Sequence, residues 1–184
     1  MAKDMLLVID MQNVYIDGKW KCVRMQEVIE NINTLKRSFN ADDVYYTLFI
    51  APENPRGTWK AYNEENKDVN EDEYANLLSG LLDTENISKE NIITKSTYSS
   101  YKSDKIKSII ESGRYDRVVV CGVTAGCCVI ATVFDLIDTG IPVLYISDAV
   151  GQHTEGTGVY TEKILGSLDV HVTLTNTTQY IENK

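Results

Sequence analysis

Val118-Val119-Val120-Cys121-Gly122-Val123-Thr124-Ala125-Gly126-Cys127-Cys128-Val129 is the stretch that decides how this chain is read. A β-branched apolar run, typical of a buried parallel strand, stops at a glycine. Small and polar residues follow, and a cysteine then opens a predicted helix. A thiol at a helix N-terminus lies at the positive end of the helix dipole, among backbone N–H groups without intrahelical partners. That setting favours the thiolate, and the same N–H groups suit an oxyanion. Strand, tight turn, cysteine and helix together suggest acyl transfer.

The pattern extends on both sides. Met5 to Met11 is a short apolar run that predicts the first strand, and Val44 to Ala51 predicts the second. Between them Met25, Val28, Ile29, Ile32, Leu35 and Phe39 recur at helical spacing. Tyr74, Leu77, Leu78, Leu81 and Leu82 repeat that spacing and predict another helix. Asn91 to Lys95 reads as a brief strand, and Lys102 to Glu111 as a helix with Ser103 as N-cap and Gly113 as its stop. After the central strand, Arg117 to Gly122, a largely buried helix from Cys128 to Thr139 ends at Gly140 and Pro142. Ile141 to Ser147 predicts a strand, Glu155 to Leu165 a helix, and Val170, Val172 and Leu174 an edge strand. Strands alternating with helices imply an α/β fold: three layers, α/β/α, around a mainly parallel, doubly wound sheet. The chain reads as one domain, 1–184, with no internal repeat and no linker.

One segment interrupts the rhythm. Pro52 to Asn70 holds two of the three prolines, along with Arg56, Gly57, Trp59, Tyr62 and many acidic or amide residues. A long loop in a compact domain is usually functional, and this one leaves the carboxyl end of the second strand, where open α/β sheets bind ligands. It is expected to be a lid or pocket wall, with a solvated insertion or an oligomer contact as the alternative.

The same edge of the sheet gathers Asp10 after the first strand, Lys95 at the end of the third and Cys128 beyond the central one. A nucleophile, a cation to favour its thiolate and a carboxylate to take its proton complement one another. Taken singly, each has a plainer reading: a turn cap, a surface lysine, a small buried hydrophobe. Their convergence carries the catalytic one. The more familiar cysteine–histidine arrangement would draw on the chain's two histidines. His171 opens the last strand at the far edge, and His153 is expected to be a loop or substrate contact rather than the base.

Bulk properties restrict partners and compartment. A net charge of −9 over 184 residues disfavours nucleic acid and anionic membranes, leaving a small-molecule substrate as the expected partner. Four cysteines without a signal-peptide pattern, and no apolar run of transmembrane length, lead us to expect a cytoplasmic protein.

Three blocks give the chain a family resemblance. Leu7-Val8-Ile9-Asp10-Met11-Gln12-Asn13, Thr94-Lys95-Ser96-Thr97-Tyr98-Ser99-Ser100-Tyr101, and Cys121-Gly122-Val123-Thr124 through Cys128-Val129 with Ile146-Ser147-Asp148-Ala149 occur in that order. They resemble the blocks of the isochorismatase-like cysteine hydrolases, which include isochorismatases, nicotinamidases and N-carbamoylsarcosine amidases. The resemblance selects Cys128 over Cys127 as nucleophile, since the family places it directly before a valine. It implies that Asp10 is the base, that Lys95 holds the charges, and that the backbone N–H groups of Thr124 and Cys128 form the oxyanion hole. It also implies a cis peptide entering Thr124, a thioester acyl-enzyme, and association into a homo-oligomer.

The chain departs from the nicotinamidases at their metal site. Where those carry an aspartate and histidines after the second strand, this chain has Thr47-Leu48-Phe49-Ile50-Ala51-Pro52-Glu53-Asn54-Pro55. Neither Phe49 nor Ala51 can ligate, so no metal or other cofactor is expected. An intact Asp–Lys–Cys set favours hydrolysis of an amide or ureido C–N bond over vinyl-ether cleavage. Candidate substrate contacts are Tyr15, Arg56, Trp59, Tyr98, Tyr101 and His153. A catalytically inactive relative with a binding or regulatory role is the alternative. A dinucleotide-binding domain does not fit, because Gly122 and Gly126 lack the fingerprint spacing.

Overall fold

The computed structural model describes residues 2–83 and 87–184. Its helices are α1 (Asn13–Ile16), α2 (Met25–Arg37), α3 (Thr58–Glu65), α4 (Lys67–Asn70), α5 (Glu73–Asn76), α6 (Asp104–Glu111), α7 (Ile130–Asp138), α8 (Glu155–Gly166) and α9 (Thr177–Glu182). Among the described residues the strands β1 (Asp4–Ile9), β2 (Val44–Phe49), β3 (Ile92–Lys95), β4 (Arg117–Gly122), β5 (Val143–Val150) and β6 (Val172–Thr175) form one sheet in the order β3-β2-β1-β4-β5-β6. Every pairing is parallel, so the expected mainly parallel sheet is entirely so.

Alternation along β1 explains the layers. Successive side chains of a strand point to opposite faces. Leu6 and Val8 pack with Val28, Ile32 and Leu35 of α2 and with Tyr180 of α9. Met5, Leu7 and Ile9 pack with Ile106 of α6, Val133 and Leu136 of α7 and Leu165 of α8. A strand buried on both faces needs no polar alternation, which is why β1 and β4 read as continuous apolar runs.

The strand order reverses direction of growth at β1, with β2 on one side and β4 on the other. Crevices at the carboxyl ends beside such a reversal are where open α/β sheets bind ligands. Gly122 makes the crossing possible. Its φ is +111°, and a Cβ there would lie 2.1 Å from the Ile9 carbonyl oxygen, so no side chain fits.

Three expectations need correction. The helical spacing of Tyr74 to Leu82 yields only the four residues of α5. The chain beyond docks alongside the end of β1: Asn13 N–H donates to the Leu77 carbonyl (3.1 Å), Ser79 N–H donates to that of Met11 (2.9 Å), and Gln12 bridges Leu78. These long-range backbone bonds outweigh local periodicity, and Leu77 and Leu81 are left exposed. Second, the 52–70 segment contains α3 and α4 rather than an irregular loop. Third, the helix expected to open at Cys128 begins at Ala125 with a π-type turn over Ala125–Val129, in which Val129 N–H donates to the Thr124 carbonyl at 3.2 Å. No helix among the described residues is long and apolar enough to cross a membrane.

Candidate active site

Asp10 directly follows β1 and lies in the left-handed region, with φ +50°. Aspartate tolerates that conformation better than most residues. Its N–H still donates to the Thr47 carbonyl at 3.0 Å, so the main chain stays bound to β2 while leaving strand geometry. The carboxylate is fully buried and both oxygens are engaged. Thr47 Oγ1 donates to Oδ1 at 2.8 Å, and Lys95 Nζ donates to Oδ2 at 2.6 Å.

Lys95 reaches Asp10 from two strands away, its register partner on β2 being Phe49. The ammonium also donates to the Thr97 carbonyl at 2.9 Å and lies 5.4 Å from the Phe49 ring centroid. A buried cation thus has an anion, a carbonyl and an aromatic face around it. Gln12 fixes the strand end between these residues: its side-chain amide accepts from Phe49 N–H at 2.8 Å and donates to the Phe49 carbonyl at 3.0 Å.

Cys128 sits within the π-type turn and is 3% exposed, whereas its neighbour Cys127 is exposed. The wide turn is a recurrent feature of functional sites. Burial pushes the Cys128 thiol well up, the Asp10 carboxylate raises it further, and the Lys95 ammonium opposes both. Cys128 is therefore favoured as a protonated thiol. Burial and the nearby anion act against the thiolate that the sequence led us to expect. The Val123–Thr124 peptide is cis, as the family resemblance implied. Thr124 caps the helix, and among the described residues its N–H donates to no protein acceptor. Val123 N–H donates to the Ile9 carbonyl and Ala125 N–H to that of Gly151, at 2.8 and 2.9 Å, which holds the turn between two strand ends.

An aromatic cluster includes Phe49, the ring beside Lys95. Trp59 and Tyr62, one helical turn apart on α3, lie 5.0 Å centroid to centroid; Trp59 meets Tyr98 at 5.3 Å and Phe49 at 6.0 Å. Trp20 joins Tyr15 at 5.5 Å and Tyr62 at 6.2 Å. The Tyr15, Tyr62 and Tyr98 hydroxyls are all harder to ionise than usual. Burial is the largest cause for each, and the neighbouring Cys128 adds to it.

The other residues singled out from sequence lie elsewhere. Arg56 is exposed on the turn leading into α3. Tyr101 donates from its hydroxyl to Glu111 at 2.8 Å, on the outer side of α6. His153 is exposed, and its Nδ1 lies 3.8 Å from Cys22 Sγ rather than beside Asp10, Lys95 or Cys128. Thr47, Trp20 and Tyr62 are not among the site candidates that the sequence offers, and Phe49 enters there only as a missing ligand. The spacing of Trp59 and Tyr62, three apart, is the signal that could have placed Tyr62 beside Trp59. Among the described residues no group of three or more His, Cys, Asp or Glu could hold a metal ion. Phe49 fills the position of the first ligand with a ring that packs, so a metal does not fit this donor set.

Residues 4–162 match the family model of the isochorismatase domain. No curated protein matches the chain significantly. Solved structures do. A cysteine hydrolase from Pseudomonas syringae pv. phaseolicola 1448A has 17% identity, a TM-score of 0.81, and alignment over 98% of this chain and 91% of its own. The N-carbamoylsarcosine amidase of Thermoplasma acidophilum has 17% identity and a TM-score of 0.73 over 95% and 96%. The pyrazinamidase of Pyrococcus horikoshii, solved with zinc, has 19% identity and a TM-score of 0.74 over 95% and 99%. At these identities the likeness is one of fold.

Proposed function

The chain belongs to the isochorismatase family of hydrolases, and from that premise we propose that it is a metal-independent cysteine hydrolase cleaving a C–N bond of a small amide or ureido substrate. The observation that carries the proposal is the buried Asp10–Lys95 ion pair facing the Cys128 thiol at the reversal of strand order.

The mechanism follows from the protonated resting state. As the thiol sulfur attacks the substrate carbonyl, its proton passes to Asp10, and the Lys95 ammonium stabilises the sulfur's developing charge. The carbonyl oxygen gains charge within reach of the Thr124 and Cys128 N–H groups. Asp10 then gives the proton to the departing nitrogen as the C–N bond breaks, leaving a thioester on Cys128. Water, deprotonated by Asp10, attacks that thioester and releases the acid and the thiol. Tyr15, Trp59, Tyr62 and Tyr98 suit a flat or apolar acyl portion. The 52–70 segment is its wall and opens to admit substrate, because the thiol is almost inaccessible.

A panel of small amides and ureido acids, assayed for released ammonia, tests this reading. Release by the parent protein and none by Cys128→Ala supports it. Equal release by both contradicts it, and no release from any compound favours the catalytically inactive alternative.

A further inference from the structure

A run of buried hydrogen bonds links the candidate base to the backbone of the turn that carries the candidate nucleophile. Thr47 Oγ1 donates to Asp10 Oδ1 at 2.8 Å, and Ser100 Oγ lies 3.3 Å from Thr47 Oγ1. Ser100 N–H donates to Thr132 Oγ1 at 2.9 Å, and Thr132 Oγ1 donates to the Cys128 carbonyl at 2.7 Å. Thr47, Ser100 and Thr132 are all fully buried. A hydroxyl has one proton. That of Thr47 goes to Asp10, so Ser100 Oγ is the donor in the 3.3 Å contact. That of Thr132 goes to Cys128, so its oxygen is free to accept Ser100 N–H. Every proton direction is thereby fixed. Ser100 is the origin, donating with its hydroxyl toward the base and with its backbone toward the turn that carries the thiol.

Building on the proposed roles of Asp10 and Cys128, we propose that Thr47 and Ser100 are positioning residues. Ser100 ties β2 to the start of α7, and Thr47 pins Oδ1 of Asp10 and so fixes how the carboxyl group meets the thiol. Chained donors polarise one another, so loss of Ser100 Oγ weakens the Thr47 bond as well. A purely structural role would make no demand on where the chain ends, but this one ends on a titrating group.

The groups facing Asp10 are Lys95 from β3, Cys128 from the π-type turn and Tyr15 from α1. All are retained in the test. Iodoacetamide alkylation of Cys128 is followed against pH in a Cys127→Ser background, where Cys128 is the labelled thiol of the turn. Proton sharing between thiol and carboxylate sustains a low plateau of reactivity, which ends on acidification where the pair takes up a second proton. Thr47→Val keeps shape but removes the donor, making the carboxylate easier to protonate. The end of the plateau should move up by about one pH unit, the effect of one hydrogen bond to a charged group. Ser100→Ala should move it the same way by less, and decides the matter if Thr47→Val does not fold. Thr47→Ser should restore the parent profile. An unmoved plateau in Thr47→Val and Ser100→Ala, with Asp10→Asn erasing it, overturns the positioning role and leaves the base assignment intact. A plateau that survives Asp10→Asn refutes the base assignment itself, and the positioning role falls with it.

Discussion

Asp10 and Lys95 are joined by a 2.6 Å bond between Oδ2 and Nζ, with both side chains shut away from solvent. Removing one partner of such a pair strands a buried charge, which costs about 3–5 kcal/mol. Asp10→Asn and Lys95→Met should each lose roughly that much, and the double variant should lose clearly less than their sum. Chemical denaturation measures all three. Additive losses would mean that the two charges do not support each other.

The thiol should respond to these substitutions with opposite signs. Burial and Asp10 raise its titration, while Lys95 lowers it. At a mildly alkaline pH, Asp10→Asn should alkylate at Cys128 faster than the parent and Lys95→Met slower, although both lose turnover. Changes in the same direction would contradict the arrangement of charges.

The aromatic wall separates binding from chemistry. Trp59 packs on the rings of Tyr62, Tyr98 and Phe49. Trp59→Ala should raise KM several-fold, change kcat less, and speed alkylation of Cys128 by opening the cover. A kcat loss without a KM change would show that α3 shapes the reacting group rather than the pocket.

Gly122 offers a stability test with an internal control. An alanine Cβ there would strike the Ile9 main chain, whereas at Gly113, with φ +69°, it would meet open space. Gly113→Ala should cost about 1–2 kcal/mol for its left-handed backbone. Gly122→Ala should cost about 4 kcal/mol or more, or prevent folding. Denaturation midpoints of the two variants settle the comparison, and equal losses would contradict the close approach.

Acid should unmask a second carboxylate. Burial pushes the Asp43 carboxyl up, but hydrogen bonds from Tyr115, Asn40 and Lys3 outweigh it and hold it below the usual range. A depressed carboxylate stabilises the fold above its unfolded titration, about pH 4, and loses that contribution as pH falls through the lower folded value. Tyr115 Oη donates to Asp43 Oδ1 at 2.8 Å. Tyr115→Phe should therefore cost about 1.5–3 kcal/mol at neutral pH and less in acid, as measured by urea denaturation at several pH values. A penalty independent of pH would assign the loss to packing.

How far the sequence reaches depends on the range of the forces involved. Asp10, Lys95 and Cys128 are legible because each ends or follows a strand, and a parallel sheet brings all strand ends to one edge. The α2 face is legible because Met25, Val28, Ile29, Ile32 and Leu35 answer to one periodicity, and all are buried. The Tyr74–Leu82 segment is misread because its conformation is set by backbone bonds to Met11 and Asn13, more than sixty residues earlier. Tyr101 misleads for a similar reason: one turn beyond Tyr98, it points to α6 and Glu111. The protonation state of Cys128 is the subtlest case. The sequence supplies the helix that favours a thiolate, but only the assembled fold supplies the burial and the carboxylate that favour the thiol. Thr47 and Ser100 lie inside stretches that the sequence singles out, yet carry no role there, since buried hydroxyls acquire meaning only from what they touch.

The central claim is that Cys128 carries the acyl group between two half-reactions. Acid quenching during turnover of an amide or ureido substrate, followed by peptide mass analysis, tests it most directly. The account predicts a mass increase equal to the acyl portion, confined to Cys128 and released by hydroxylamine as a thioester is. Steady turnover with Cys128 unmodified at every quench time, and retained in Cys128→Ala, would contradict it.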